Sequence, residues 1–243
     1  MGLFSRHRSY TEKVLAFRKK REILAKAALV ILAVACVHSL FLQSFEIDSS
    51  VMQPTLVKGD RVLSFPLPVG ALTLFGKLPP LSDVKRGELI IVAPDPIPTE
   101  SWWFRAWDGL VRLFTLQRIS PFSSRYGKDF ASPGVYRVIG IPGDTLRLRE
   151  SIYEIRPRGA SGFSREFGLA ASLYSIKAAA ASSPMEQARL SPAEYSLGAD
   201  EFFVACDDRS AFLGSPLWGP IDSGRILGRV VAVFWPLRHM KIP

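Results

Sequence analysis

From residue 46 onward the apolar positions fall in short runs that turn residues separate. The runs are Arg61–Phe65, Glu88–Ala93, Val135–Ile141, Asp144–Leu148, Glu201–Ala205 and Arg229–Trp235, each rich in Val, Ile, Leu or Phe. Lys58-Gly59-Asp60 and Pro142-Gly143-Asp144 flank them with turn chemistry. Strands of this length between Gly and Pro breaks predict a mostly β domain, as a compact barrel or folded-over sheet. One stretch keeps a helical period instead. Trp103, Trp107, Leu110, Val111 and Phe114 share a face opposite Arg105, Asp108, Arg112 and Thr115. This predicts a helix over 102–117, either packed on the sheet or lying in a membrane interface, where Trp is favoured. Gly109 weakens both versions. Ala178–Ala181, followed by Ser182-Ser183-Pro184, reads as a loop or short helix.

Ahead of residue 46 the pattern changes to a continuous apolar run. Ala27 to Phe45 holds no formal charge over nineteen residues. At a rise of about 1.5 Å per residue they would span roughly 28 Å, close to a bilayer's hydrocarbon thickness. A single transmembrane helix over 23–45 is predicted, with Lys26 snorkelling to the headgroups.

Charge orients that span. The 243 residues carry 31 Lys+Arg against 22 Asp+Glu, a net charge of +9. Residues 1–22 hold seven of the cations and two of the acids, so +5 precedes the apolar run. A basic lead predicts a cytoplasmic N-terminus and an ectodomain on the outer side of the cell (inner) membrane. A cleavable leader is the rival reading, because Ala33-Val34-Ala35-Cys36 loosely resembles a lipoprotein cleavage box. From Ala27 to Pro243 there are 23 cations and 20 acids, only +3, so the basic total is no sign of nucleic-acid binding. Cys36 in the span and Cys206 outside it cannot meet, so no disulfide is expected. No metal or cofactor is expected either.

Four blocks in order carry a family resemblance. They are Ile47 to Leu56 (Ile-Asp-Ser-Ser-Val-Met-Gln-Pro-Thr-Leu) with Gly59-Asp60, Lys85 to Val92 (Lys-Arg-Gly-Glu-Leu-Ile-Ile-Val), and Tyr136 to Asp144 (Tyr-Arg-Val-Ile-Gly-Ile-Pro-Gly-Asp). The fourth runs from Leu197-Gly198 through Phe202-Phe203-Val204 and Cys206-Asp207-Asp208-Arg209 to Leu217-Trp218-Gly219. Gly228-Arg229 and Trp235-Pro236 close the series. Together these resemble the type I signal peptidases, which remove signal peptides from exported preproteins with a Ser/Lys dyad. The resemblance implies a retained anchor and a core of 46–144 plus 197–243. A β-rich insertion would occupy 145–196.

The dyad itself is missing. The family's nucleophilic Ser stands immediately before the Met, and its Lys base immediately before the Arg-Val-Ile-Gly block. Here those positions are Val51 and Tyr136. A serine needs a neighbour to take its proton, and a lysine does so only when burial depresses its pKa. Valine offers no nucleophilic atom, and a tyrosine of ordinary pKa is a poor base.

Ser50 and Ser49 are the outside candidates for a relocated nucleophile. In extended chain Ser50 would face away from the cleft. Ser49 matches the hydroxyl that helps form the family's oxyanion hole, together with the Val51 N–H. The resemblance also assigns Met52, Pro54, Arg137, Gly140, Asp144, Asp207, Arg209 and Ser215 to the cleft or its scaffold. Asp207 and Arg209 are expected to be a scaffold ion pair. In the fourth block Cys206, Asp208, Phe212, Gly214 and Pro216 replace the family's Gly, Asn, Ser, Asp and Arg.

The favoured expectation is a non-catalytic homologue that binds signal-peptide-bearing preproteins or a partner peptidase in the membrane. The alternatives are an active peptidase using Ser50 or Ser49, and a structural membrane-anchored β-domain with no peptide site.

Overall fold

The computed structural model describes residues 15, 17–30, 43–70, 72–73, 76–77, 79–93, 133–149, 151–178 and 194–243, and the statements below concern these residues. Two units contain them, Met1–His38 and Ser39–Pro243.

The first unit is helical over 17–30. The helix therefore begins inside the basic lead rather than at residue 23, and Phe17, Leu24 and Leu29 stand exposed on it. Among the described residues no helix is long and apolar enough to cross a membrane. Residues 31–42, most of the predicted span, lie outside the described residues. The far end of that prediction needs correction. Gln43–Glu46 is a strand, β1, paired antiparallel with Arg61–Ser64. Phe45 packs against the core of the second unit, which fixes the segment as sheet.

The second unit is mostly β. Its larger sheet has seven strands: β1, β2 (Arg61–Phe65), β5 (Leu89–Val92), β6 (Gly134–Gly140), β11 (Glu201–Ala205), β12 (Ile221–Asp222) and β13 (Ile226–Trp235). They run in the order β1-β2-β13-β5-β6-β11-β12, every neighbour antiparallel. β3 (Leu72–Thr73) and β4 (Gly76–Lys77) form a small separate ribbon. The six sequence-predicted strands all appear, with ends shifted by a few residues at most.

Alternation on β5 shows how the core divides. Leu89 and Ile91 enter one apolar cluster with Ile47, Met52, Leu56, Val62 and Val233. Ile90 and Val92 enter a second with Val138, Phe202, Val204 and Ile226. All four β5 side chains are buried, so the large sheet is covered on both faces.

A second sheet has four strands in the order β10-β7-β8-β9: β7 (Thr145–Arg149), β8 (Ile152–Arg156), β9 (Ser164–Arg165) and β10 (Tyr195–Ser196). Leu146, Tyr153 and Ile155 on its inner face meet Ile139 and Phe203 of the large sheet in a third cluster. Only the first of these strands was predicted. The short pieces after it lack the long apolar runs that reveal a strand. Residues 102–117 and 179–181 lie outside the described residues.

Candidate functional site

Where the family's nucleophile would stand, the chain leaves the sheet. From Ser50 it bends and runs through turns at 51–55, closed by Gln53 N–H donating to Ser50 O (3.1 Å) and Leu56 N–H to Met52 O (2.8 Å). The extended geometry assumed for judging Ser50 is therefore not what the segment adopts. Ser49 and Ser50 are both exposed, and neither hydroxyl is hydrogen-bonded to a described residue. Met52 is buried in the first cluster, Val51 packs against that cluster, and Pro54 is exposed. Val51 O accepts the Asp208 N–H at 2.9 Å, which ties this loop to the fourth block.

Tyr136 lies on the other side of β6. Val135 joins the first cluster, and one residue on, Tyr136 packs against the second beside Trp218. Its ring meets the Trp218 ring edge-on at 5.3 Å. It folds back over Gly134, where a Cβ would stand 2.5 Å from a ring carbon. Gly134 is thus the space into which the tyrosine lies. Burial raises the Tyr136 pKa, the neighbouring Cys206 adds to this, and Arg225 opposes it, so the phenol is neutral at physiological pH. Cys206 is a free, buried thiol donating to Asp208 O at 3.0 Å, and burial pushes its pKa up as well.

Around this pair stands a buried ionic framework. Arg137 and Asp207 are almost fully buried and joined by a fork: Nε to Oδ1 and Nη2 to Oδ2, each 2.7 Å. Arg137 also donates to Gly87 O (2.6 Å) and to Thr55 Oγ1 (3.0 Å), while the Thr55 hydroxyl donates to Asp207. Such a pair is compensated by its geometry, since each charged atom has a partner.

Arg209 is not paired with Asp207, contrary to expectation. It donates to Glu166 Oε2 at 2.6 Å, and Glu166 also accepts from Tyr153 N–H (3.1 Å) and Tyr174 O–H (2.7 Å). Burial works against the Arg209 charge, but Glu166, Tyr153, Tyr174 and Asp207 together outweigh it and raise the pKa. Arg209 has two neighbours competing for one role: Asp207 is already saturated by Arg137 and Thr55, so Glu166 takes the second arginine. The Tyr174 ring completes the link, with the Arg137 guanidinium 4.0 Å above it.

The remaining family positions are structural. Asp144 receives a fork from Arg86 (2.8 and 2.7 Å) and the Ile141 N–H (3.0 Å). Gly140 leaves room for Leu146 and Leu197, whose methyl carbons stand 2.8–2.9 Å from where its Cβ would be. Ser215 Oγ accepts the Val204 N–H at 2.9 Å. Gly214 has φ of 105°, and a Cβ there would lie 2.6 Å from Val204 O. The family's Asp cannot occupy this loop as it is folded.

Sequence reasoning missed Glu166, Tyr174 and Lys177, which come from the segment between β8 and β10. Lys177 bridges to the fourth block through Lys177 N–H to Asp207 O and Arg209 N–H to Lys177 O, both 2.9 Å. Its ammonium reaches Asp208 at 2.7 Å. Burial would raise the Asp208 carboxyl, but the Lys177 and Ser210 hydrogen bonds outweigh it and hold the pKa low. Nothing in the local sequence marked these residues, because their partners lie far away in the chain.

Among the described residues one edge of the site carries no partner strand. β5 pairs with β6 from Gly134 to Arg137, whereas β11 on the other side begins only at Arg137. Among the described residues no strand covers Gly134–Tyr136 on that side. An unpaired strand edge is the kind of surface that can take up an extended chain.

The blocks quoted from the sequence thus form one framework, with Arg137, Asp144, Asp207 and Ser215 each in a structural role. A comparison with curated proteins gives no match. A family model described as signal peptidase, peptidase S26, matches residues 20–235, which is most of the chain and takes in all four blocks and both sheets. On that match the chain belongs to the signal peptidase family, peptidase S26.

Proposed function

We propose that this chain is a membrane-anchored signal peptidase homologue that holds signal-peptide-bearing preproteins, or a partner peptidase, without cleaving them. The carrying observation is the placement of the two dyad positions. Val51 packs with the cluster on one face of the large sheet and Tyr136 with the cluster on the other. Neither carries a reactive group in a usable state: one is an alkyl side chain, the other a phenol kept neutral by burial. Binding needs no nucleophile. An extended peptide could add along Gly134–Tyr136 by main-chain hydrogen bonds.

Anchoring is supported by the basic lead, by the uncharged run that follows, and by the apolar side chains exposed on the 17–30 helix. The N-terminus would be cytoplasmic and the β unit outside the inner membrane.

The test is incubation of the purified full chain with a preprotein bearing an Ala-x-Ala site. Co-elution of intact precursor is expected. Cleavage that disappears in Ser50→Ala or Ser49→Ala would instead establish an active enzyme with a relocated nucleophile. Failure to bind any precursor or peptidase would leave a structural role.

A further inference from the structure

One of the positively charged stretches beyond the basic lead is folded into the smaller sheet. Residues 27–243 sum to +3, and residues 145–165 alone carry five arginines and two glutamates, also +3. The strands of the smaller sheet sort these charges by face. β7 turns Leu146 and Leu148 to the third cluster, so Arg147 and Arg149 point outward. β8 turns Tyr153 and Ile155 inward, leaving Glu154 and Arg156 outward, and Arg165 stands opposite Glu154 in register.

Two of these arginines are already organised. The guanidiniums of Arg147 and Arg156 both lie over the Phe163 ring, 4.0 and 4.8 Å from its centroid. Glu154 answers Arg147 at 2.7 Å, and Glu194 answers Arg156 only at 3.8 Å. Arg149, Arg158 and Arg165 are exposed, and none has an ion-pair partner among the described residues. The cations here are all arginine, whose planar fork suits phosphate and carboxylate.

We propose that this arginine face of β7–β9 lies against the phosphate headgroups of an anionic lipid bilayer. The inference rests on the reading that the β unit is held beside a membrane. A bilayer fits better than an acidic polypeptide for two reasons. The face is a pleated surface whose edge strands β9 and β10 have two residues each, too short to template an added peptide. Its outward-facing positions recur about 7 Å apart along a strand and about 5 Å apart between strands, an array that anions in any register satisfy. Phe163 and the half-buried Ile152 also set apolar surface among the cations, as in interfacial binding surfaces.

The test uses the full chain reconstituted into nanodiscs of phosphatidylcholine alone or of phosphatidylcholine mixed with phosphatidylglycerol. Backbone hydrogen exchange is followed in β7–β9, with β5 as an internal control. Exchange in β7–β9 should slow on the order of tenfold on the anionic discs, and high salt should abolish the effect. The triple variant Arg149→Gln/Arg158→Gln/Arg165→Gln, at exposed positions, should lose it while β5 stays protected. Equal exchange on both discs overturns the proposal. Protection by soluble polyglutamate with no bilayer effect overturns it in favour of an acidic polypeptide. A chain that does not enter the discs refutes the anchor instead, and the face is then read with added vesicles of the same two compositions.

Discussion

Tyr136 and Gly134 form one unit, since the ring occupies the volume a Cβ at 134 would need. Gly134→Ala should therefore displace the tyrosine, and Tyr136→Ala should cost about 3 kcal/mol of unfolding free energy, read from denaturant melts. Tyr136→Phe should cost less than about 1 kcal/mol, because no described residue takes its hydroxyl in a hydrogen bond. Restoring the dyad is a sharper case. The double variant Val51→Ser/Tyr136→Lys is expected to leave a preprotein uncleaved in a gel assay, because the two side chains pack toward different clusters. Reintroducing the family's Asp at Gly214 would not help, since its Cβ would press on Val204 O at 2.6 Å with φ at 105°. Gly214→Ala alone should destabilise by about 2 kcal/mol or more. That Val51 and Tyr136 stand where the resemblance puts the family's Ser and Lys was legible in the sequence. That Gly214 and Gly134 are steric commitments was not, because a glycine's neighbours are set by the fold.

At the scale of elements, the buried framework joins the two sheets through residues that belong to different stretches of chain. Arg137 and Asp207 come from the large sheet and the loop after it, while Glu166 and Tyr174 come from the single helical turn Glu166–Leu169 and the segment following. Asp207→Asn would strand Arg137 in the core, and a loss of about 3–5 kcal/mol is expected. Tyr174→Phe should cost only about 1 kcal/mol, through one lost hydrogen bond to Glu166. Asp208 gives the framework a pH dependence. Its folded pKa is lowered, so its stabilising contribution is present above the unfolded carboxyl value and is lost as pH falls through the folded one. Stability should therefore fall on acidification below about pH 4, and Asp208→Asn should flatten that limb of the profile in thermal melts. Six of the strands were legible because short apolar runs between Gly and Pro turns mark them. The Arg137–Asp207 and Arg209–Glu166 pairings were not, because pairing among several buried arginines and acids is decided by reach in three dimensions.

For the whole molecule, the boundary between the N-terminal unit and the β unit decides what can be cut away. An uncharged run ending at Phe45 suggested that helix continues to that residue, but hydropathy does not distinguish the end of a span from the start of a half-buried strand. β1 pairs along all four of its residues with β2, and Phe45 packs on the cluster that contains Met52 and Val62. Contacts divide the chain between His38 and Ser39, well before that strand. Removing residues 1–38 should accordingly leave a cooperative thermal transition within a few degrees of the full chain, measured for both in the same detergent. Removing residues 1–46 deletes the edge strand, bares β2, and takes Phe45 out of the core. That truncation should lose about 3 kcal/mol from the missing aromatic side chain alone, and more from the pairing, and it should aggregate through the exposed strand. Equal stability of the two truncations would mean that Gln43–Glu46 belongs with the helix, as the apolar pattern first suggested, and not with the sheet.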